Sequence, residues 1–373
     1  MAWDVTLDDV EAIAIGAGVL GTGGGGNTYL GRVRLARELR LHNAPCHIID
    51  VDNLPDNAVI CAVSGMGAPT VGIEKLASGN ELENAVRRLS EYLHAPIEAL
   101  IIGEIGGSNA IEPLITGLRL GLPVVDGDAM GRAFPELQMD TFSIGGVSPS
   151  PMALGDAHGN VVIFDHIDTP LRAEEYARNL TIEMGGSSGL VMPMMTGKQV
   201  KQFIIRGTLS LAHKLGQVVL SSRRRAIDPA EAVAAAANGR VLFTGKIVDL
   251  YRRTTKGFAR GYMKITSFSD DSDHMEIEFQ NENLIARHNG SLVCTVPDLI
   301  TLLSFEDGEP IGTESLRYGL RVSVLGMPAP EELKTDAALE VVGPTAFGYE
   351  DVPFKPLPGD LRAGSSPVPM HHL

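Results

Sequence analysis

The spacing of apolar residues changes near residue 240, and this change constrains the fold more than any other feature of the chain. In the first half, short apolar runs alternate with helical stretches, which is typical of parallel strands joined by helical crossovers. Beyond residue 240, segments such as HMEIEFQ (274–280) alternate apolar and polar residues, which is typical of antiparallel strands with one buried face. Two different folds in succession are therefore predicted.

We predict an α/β fold in which a Rossmann-like, three-layer domain with a parallel sheet precedes a mostly antiparallel, β-barrel-like domain. The chain divides into four predicted parts: an α/β domain (1–168), a helical segment that packs on it (169–239), a β-rich domain (240–345) and an extended tail (346–373).

Strands of the first domain are predicted at 46–51, 58–65, 99–104 and 123–128, with possible edge strands at 142–146 and 160–165. A single helix is predicted for 196–216. It opens with a capping box, in which Thr196 is followed three residues later by Gln199.

The chain carries a formal net charge of −15. This charge argues against nucleic acid and anionic membranes as partners, because both require clustered Lys and Arg. The apolar run Ala12–Leu20 is about half a membrane span in length, and the N-terminus lacks the basic region of a signal peptide. Three widely spaced cysteines without a Cys-x-x-Cys motif fit a reducing compartment. The sequence therefore favours a cytoplasmic protein.

Four consecutive glycines occur in GTGGGGNTYLG (21–31). The segment resembles a phosphate-binding P-loop, but Asn27 stands where that motif requires lysine, and no strand precedes it. Two interpretations stay open. The glycines form either a nest of backbone amides that binds an anionic or carbonyl oxygen, or a tight turn between two helices. The candidate binding residues here are Gly23, Gly24, Gly25, Gly26 and Asn27.

Three glycine-rich loops follow predicted strands, at 64–72, 103–110 and 126–138. Ligands of open parallel sheets bind beyond the carboxyl ends of the strands, so these loops are predicted to form the site. The candidate catalytic residues are the carboxylates Glu104, Asp126 and Asp128. The candidate binding residues are Met66, Gly67, Gly106, Gly107, Asn109 and Arg132.

Structural roles are the alternatives for these residues. Glu104 could pair with a nearby arginine, and Asp126 could cap a helix with Arg132 as its ion-pair partner. Asp126 and Asp128 could also bind a divalent metal, although no His-Glu-x-x-His or His-x-His motif is present. No cofactor is predicted, and the metal question stays open.

Several motifs together resemble a known bacterial family. They are GTGGGGNTYLG, SGMGAPTVGIEKL, GEIGGSNAIEPL, PVVDGDAMGRAFPELQM, MPMMTG, RGTLSLAHKLG and VGPTAFGYEDVPF, which span most of the chain in this order. The sequence is similar to the S-methyl thiohydantoin desulfurase-like family, which is associated with hydantoinase- and oxoprolinase-type proteins. The resemblance implies an α/β domain followed by a β-barrel-like domain.

The resemblance also implies a reaction. Water attacks the sulfur-bearing carbon of an S-methyl thiohydantoin with a carboxylate side chain, and methanethiol leaves. Asp126, Asp128 or Glu104 would be the base, the glycine amides and Asn109 the donors, and Arg132 or Arg206 the cation that binds the side chain. The alternatives are a non-catalytic subunit or ligand-binding partner of a hydantoinase/oxoprolinase-type complex, and a nucleotide-binding protein. Homo-oligomerisation is a further expectation.

Overall fold

A mixed sheet of nine strands forms the first part of the computed structural model, which describes residues 2–67, 71, 74–75, 77–255 and 258–357. Its strands are β1 (Trp3–Val5), β2 (Cys46–Ile49), β3 (Val59–Gly67), β4 (Ala99–Ile102), β5 (Val124–Asp128), β6 (Met152–Gly155), β7 (Val161–Phe164), β8 (Ser187–Thr196) and β9 (Ile205–Arg206).

The strand order is β1-β2-β5-β4-β3-β8-β6-β7, and β9 pairs with β5. The four central strands, β2, β5, β4 and β3, run parallel to one another. All four residues of β4 are buried, as expected for a central strand of an α/β sheet.

The helices are α1 (Val10–Leu20), α2 (Thr28–His42), α3 (Glu81–Leu93), α4 (Glu112–Leu120), α5 (Thr141–Ile144), α6 (Pro170–Glu183), α7 (Gly197–Phe203), α8 (Thr208–Arg225), α9 (Pro229–Ala236) and α10 (Asp336–Val342). Helices α1 and α8 approach closely, since a Cβ on Gly16 would lie 1.7 Å from the carbonyl oxygen of Ala212. No helix in the described part of the chain is long and apolar enough to cross a membrane.

A curled antiparallel sheet of seven strands forms the second part. Its strands are β10 (Arg240–Thr255), β11 (Phe258–Ser267), β12 (His274–Gln280), β13 (Glu282–His288), β14 (Ser291–Thr295), β15 (Leu299–Ser304) and β16 (Arg321–Met327). The order is β14-β13-β12-β11-β10-β16-β15. The amide of Asn283 on β13 donates to the carbonyl of Ile300 on β15 over 2.9 Å, so the sheet curls into a half-barrel. The predicted fold class is confirmed.

The alternation predicted for 274–280 is present in the structure. Met275, Ile277 and Phe279 are buried, whereas the glutamates between them are partly exposed. The capping box of Thr196 and Gln199 is also formed, at the N-terminus of α7.

Three sequence-based predictions of local structure were wrong. The segment 142–146 is not an edge strand, because the Asp140 carboxylate caps the short helix α5 there. The stretch 196–216 forms two helices, because β9 pairs with β5 and Gly207 adopts a φ of +70°. The segment 169–239 is not wholly helical, because β8 enters the central sheet between β3 and β6. Residues 358–373 of the predicted tail lie outside the described residues.

Two glycine loops touch backbone to backbone, and this contact explains the glycine run. A Cβ on Gly25 would lie 2.2 Å from the carbonyl oxygen of Gly106, and one on Gly107 would lie 2.4 Å from the carbonyl carbon of Gly25. The N–H groups of Ser108 and Asn109 donate to the carbonyls of Gly26 and Gly25 over 3.2 and 3.3 Å. Larger residues would hold the loops apart.

We predict that Gly25→Ala lowers the free energy of unfolding by roughly 2–4 kcal/mol, because it adds a clash to the strain of a positive φ. Gly121→Ala is the matched control, since Gly121 has a φ of +67° with no atom within 4 Å of an added Cβ. It is expected to cost about 1 kcal/mol. Urea denaturation of both variants measures the difference, and equal losses would show that the loop contact is unimportant.

Candidate active site

A cleft of about 630 Å³ opens at the carboxyl ends of β3 and β4. Of the residues predicted for binding or catalysis, those that line it are Gly25, Gly26, Asn27, Met66, Gly67, Glu104 and Asn109. The second domain contributes Asn281, which lies between β12 and β13, and Glu282, the first residue of β13. The rule that ligands bind beyond the carboxyl ends of parallel strands therefore led to this cleft. In the first of the three predicted loops, residues 68–70 and 72 lie outside the described part of the chain.

Glu104 is a buried carboxyl group in the cleft wall, only 6% exposed. It follows β4, where Gly103 ends the apolar run. Its Oε1 accepts from the Asn109 amide over 2.6 Å, and its Oε2 accepts from the Phe134 N–H over 2.9 Å. Burial, with a smaller contribution from the Asp128 carboxylate, raises the pKa of Glu104 to about 7, although these two hydrogen bonds and the Arg132 guanidinium act to lower it. A carboxyl group with such a pKa can give or take a proton near neutral pH.

Glu282 is the second buried carboxyl group of the cleft, 2% exposed, and sequence analysis missed it. Its Oε2 has no hydrogen-bond partner within the described structure. Burial raises the pKa of Glu282 well above its usual range, and the charge of Glu104 adds to this effect. The available signal was QNEN (280–283), four consecutive polar residues between apolar strands, and all four are buried.

Arg178 on α6 is the second functional candidate that sequence analysis missed. Its Nε donates to Glu174 over 2.7 Å, and its Nη2 donates to the Pro135 carbonyl over 2.9 Å. The guanidinium carbon lies 4.8 Å from the centroid of the Phe258 ring. Nη1 has no hydrogen-bond partner among the described residues, so this cleft-lining arginine retains donors for a ligand. The sequence gave no indication that Arg178 lines a site, because Glu174 and Arg178 have the spacing of an ordinary i,i+4 ion pair on a helix.

Asn109 and Asn27 have structural bonds as well as a place in the cleft. The Asn109 Oδ1 accepts from the Gly65 N–H over 2.8 Å while its amide holds Glu104, so Asn109 orients the carboxyl group. The Asn27 Oδ1 caps α2 by accepting from the Tyr29 N–H over 2.9 Å. Gly25 and Gly26 reach the cleft beside this helix start, and whether their amides bind a ligand stays a prediction.

The two aspartates of β5 do not line the cleft. The carboxylate of Asp126 accepts from the N–H and the hydroxyl of Ser210 in the first turn of α8. The Asp128 Oδ2 accepts from the N–H groups of Ile105, Met130 and Gly131 over 2.9, 3.1 and 2.8 Å. Burial raises the pKa of Asp128 to about 7. Asp126 therefore anchors a helix, whereas Asp128 holds together the loops around Glu104.

Four predicted binding glycines lie behind the cleft wall. A Cβ on Gly24 would lie 1.9 Å from Glu282 Oε1, and one on Gly23 would lie 2.8 Å from Thr313 Cγ2. Gly106 and Gly107 pack against Gly21 and Gly25. These four residues shape the wall without lining it.

Arg206 also lies away from the cleft. It is half-exposed, and its guanidinium bonds to Asp52 over 2.9 Å and to the Lys201 carbonyl over 3.3 Å. The predicted role of Arg206 in binding a substrate carboxylate therefore has no support from its position.

Arg132 is fully buried, and protein acceptors occupy all of its donors. Its bonds of 2.8–3.3 Å go to the Thr22 hydroxyl and to the carbonyls of Ala133, Asn283, Pro297 and Asp298. A guanidinium has five N–H groups, so none is left for a substrate. Arg132 joins the two domains, and the structure does not present it as the cation of the site.

No group of three or more His, Cys, Asp or Glu side chains in the described residues is arranged to hold a metal ion. The three cysteines are buried thiols. Burial raises the pKa of Cys46 to about 12, and it raises those of Cys61 and Cys294 still further. These cysteines are therefore poor nucleophiles at neutral pH.

Comparison with known proteins agrees with this architecture. The family described as S-Me-THD-like matches in two parts, its N-terminal domain over residues 8–166 and its C-terminal domain over residues 168–357. The chain belongs to the S-Me-THD-like family. The resemblance drawn from the loop motifs is thereby confirmed.

A crystal structure of a protein from Chromobacterium violaceum shares the fold, with a TM-score of 0.80 and 24% sequence identity. The similarity covers 95% of this chain and 100% of that one. No curated protein matches the sequence. At this identity the similarity shows that the two proteins share a fold and says nothing about the chemistry of this chain.

The raised pKa of Glu104 predicts that stability depends on pH. Between its usual value of 4.5 and about 7, the folded protein retains a proton that the unfolded chain has released. The free energy of unfolding therefore falls as pH rises through this range, by roughly 3 kcal/mol for a single group. Glu104→Gln cannot titrate and is expected to lose this part of the slope in urea denaturation.

The surface variant Glu91→Gln is the control for this measurement, since Glu91 is 63% exposed in its side chain. It is expected to keep the wild-type slope. A Glu104→Gln protein with an unchanged slope would show that the Glu104 carboxyl group titrates normally.

Proposed function

We propose that the protein hydrolyses a small S-methyl thiohydantoin or a related hydantoin-like cyclic amide, with Glu104 as the general base. The observation that carries this proposal is a buried carboxyl group with a pKa of about 7 in the wall of the cleft. A base with this pKa combines a substantial ionised fraction with the strength to take a proton from water. Family membership supports the substrate class.

The proposed reaction needs only water as second reactant. Ionised Glu104 removes a proton from a water molecule, whose oxygen bonds to the ring carbon that carries sulfur. The bond between this carbon and the methylthio sulfur then breaks, and methanethiolate leaves and takes up a proton. The products are a hydantoin and methanethiol. One water hydrogen ends on the thiol, and the ring nitrogen gains the other, so the atoms balance without an oxidant or reductant.

Arg178 is the proposed anchor for a carboxylate side chain on the ring. It lines the cleft, its Nη1 has no bond to the described residues, and Glu174, Pro135 and Phe258 hold its position. A bond between a guanidinium and a carboxylate is worth about 1.5–3 kcal/mol, which corresponds to roughly 10–100-fold in binding.

Thiol release from a panel of S-methyl thiohydantoins tests the reaction. The wild-type protein is expected to release methanethiol, detected with a chromogenic disulfide, and to form the matching hydantoin, detected by mass spectrometry. Glu104→Gln is expected to lower kcat by roughly 10²–10⁴, as for loss of a general base. Asp126→Asn is the control, because this carboxylate anchors α8 outside the cleft and its loss should leave turnover per folded molecule near the wild-type value.

If the wild-type protein binds hydantoin but releases no thiol from any member of the panel, the reaction is excluded for these substrates. This result would favour a non-catalytic, ligand-binding subunit of a hydantoinase- or oxoprolinase-type complex. Co-purification with such a partner would then be the next measurement.

The Arg178 anchor is tested by pairing substrates that differ only in the side-chain carboxylate. Arg178→Met is expected to raise KM roughly 10–100-fold for the carboxylate and to leave KM for the neutral amide unchanged. An equal rise for both substrates would show that Arg178 shapes the cleft without binding the side chain.

A further inference from the structure

A second carboxyl group, that of Glu282, faces the cleft and has no part in the reaction described so far. Its Oε1 packs against the glycine loop, since a Cβ added to Gly24 would lie 1.9 Å from this oxygen. Glu282 lines the cleft, and its buried Oε2 has no hydrogen-bond partner among the described residues. A buried polar atom without a partner is rare in native proteins, so a ligand is the natural partner for this one.

Three charged groups of the described residues face Glu282, and they act on its pKa in opposite directions: Glu104 raises it, whereas the two arginines lower it. The three groups are Glu104, Arg132 and Arg178. Arg132 gives every N–H to other acceptors, so it supplies charge but no hydrogen bond to Glu282. Glu104 repels a second negative charge, and two neighbouring buried carboxyl groups do not both ionise readily. Burial keeps the pKa of Glu282 well above its usual range. Because the two carboxyl groups repel each other's charge, ionisation of Glu104 favours the protonated form of Glu282.

We propose that Glu282, supplied by the second domain, is the proton donor of the reaction and faces the ring nitrogen while Glu104 activates water. This inference rests on the proposed function of the cleft. It assigns unlike roles to two carboxyl groups in unlike surroundings: both oxygens of Glu104 accept hydrogen bonds that stabilise its charge, whereas the Glu282 Oε2 accepts none among the described residues.

In the proposed reaction each glutamate gives up one proton and takes up another. Glu104 takes a proton from water as the oxygen–carbon bond forms, and the electron pair of the carbon–nitrogen double bond moves to nitrogen, which takes the Glu282 proton. The added hydroxyl then returns its proton to Glu282 as the carbonyl forms and the carbon–sulfur bond breaks. The departing methanethiolate takes the proton held by Glu104. Both glutamates end in their starting states.

The variants Glu282→Gln and Glu282→Asp separate acid chemistry from shape. Glutamine keeps the shape and can still donate a hydrogen bond, but it cannot transfer a proton. Its kcat/KM for thiol release is expected to fall roughly 10²–10⁴-fold, and the fall of activity at high pH, which reports the acid, should disappear. Aspartate keeps the acid on a shorter chain, so partial activity with the high-pH limb retained is expected.

Glu314→Gln is the matched control. Glu314 lies in the same domain, and burial also raises its pKa, but it does not line the cleft. This variant is expected to keep the wild-type pH profile. Circular dichroism and thermal melting confirm that each variant is folded. A Glu282→Gln protein with near-wild-type kcat/KM and an unchanged high-pH limb would overturn the proposal.

Infrared difference spectroscopy tests Glu282 without turnover. The wild-type protein near neutral pH is expected to show the carbonyl stretch of a protonated carboxyl group that is absent from Glu282→Gln, and added hydantoin should shift this band. Absence of the band or of the shift would overturn the proposal whether or not thiol is released. A shift without any thiol release would support a ligand-facing acid while rejecting the reaction, so the two proposals fail separately.

Discussion

The structure around the cleft depends on one buried guanidinium. Arg132 donates to Thr22 in the glycine turn, to Ala133 beside it and to three carbonyls of the second domain, so a single charged group fixes the positions of four chain segments. A buried arginine without these acceptors would strongly destabilise the folded protein. The four segments therefore depend on one another for their positions. Arg132 therefore holds the two domains together beside the cleft that Glu104 and Glu282 line.

Burial shifts the pKa of the two carboxyl groups of the cleft. Each glutamate would have an ordinary pKa on an isolated domain surface, because water would solvate its charged form. Burial removes that water, and desolvation becomes the largest influence on the pKa of both Glu104 and Glu282. The bonds from Asn109 and Phe134 then stabilise ionised Glu104, while Glu282 has no such bonds at Oε2. Two similar side chains thereby have different hydrogen-bonding surroundings.

The glycine loops show why the cleft can form at all. Gly25 and Gly107 place two backbones in direct contact, and Gly24 leaves room for the Glu282 carboxyl group. The glycine run was recognisable from sequence as a place of close approach, but its partner was not. Sequence analysis favoured a bound ligand or a simple turn, whereas the structure shows another loop of the same chain and a side chain 258 positions away from Gly24.

The sequence by itself determined the order of the two folds and the edge where the cleft lies, because both follow from local periodicity and from glycine-rich loops after apolar strands. It also predicted Glu104 as a site residue, and the structure places this residue in the wall of the cleft. Only the tertiary structure decided that Asp126 anchors a helix and that Arg132 gives all its N–H groups to acceptors at the domain interface. It also decided that Arg178 and Glu282 line the cleft. These roles depend on which residues, distant in sequence, bury each side chain or bond to it. Desolvation and hydrogen bonds between distant residues leave no pattern in the spacing of residues along the sequence.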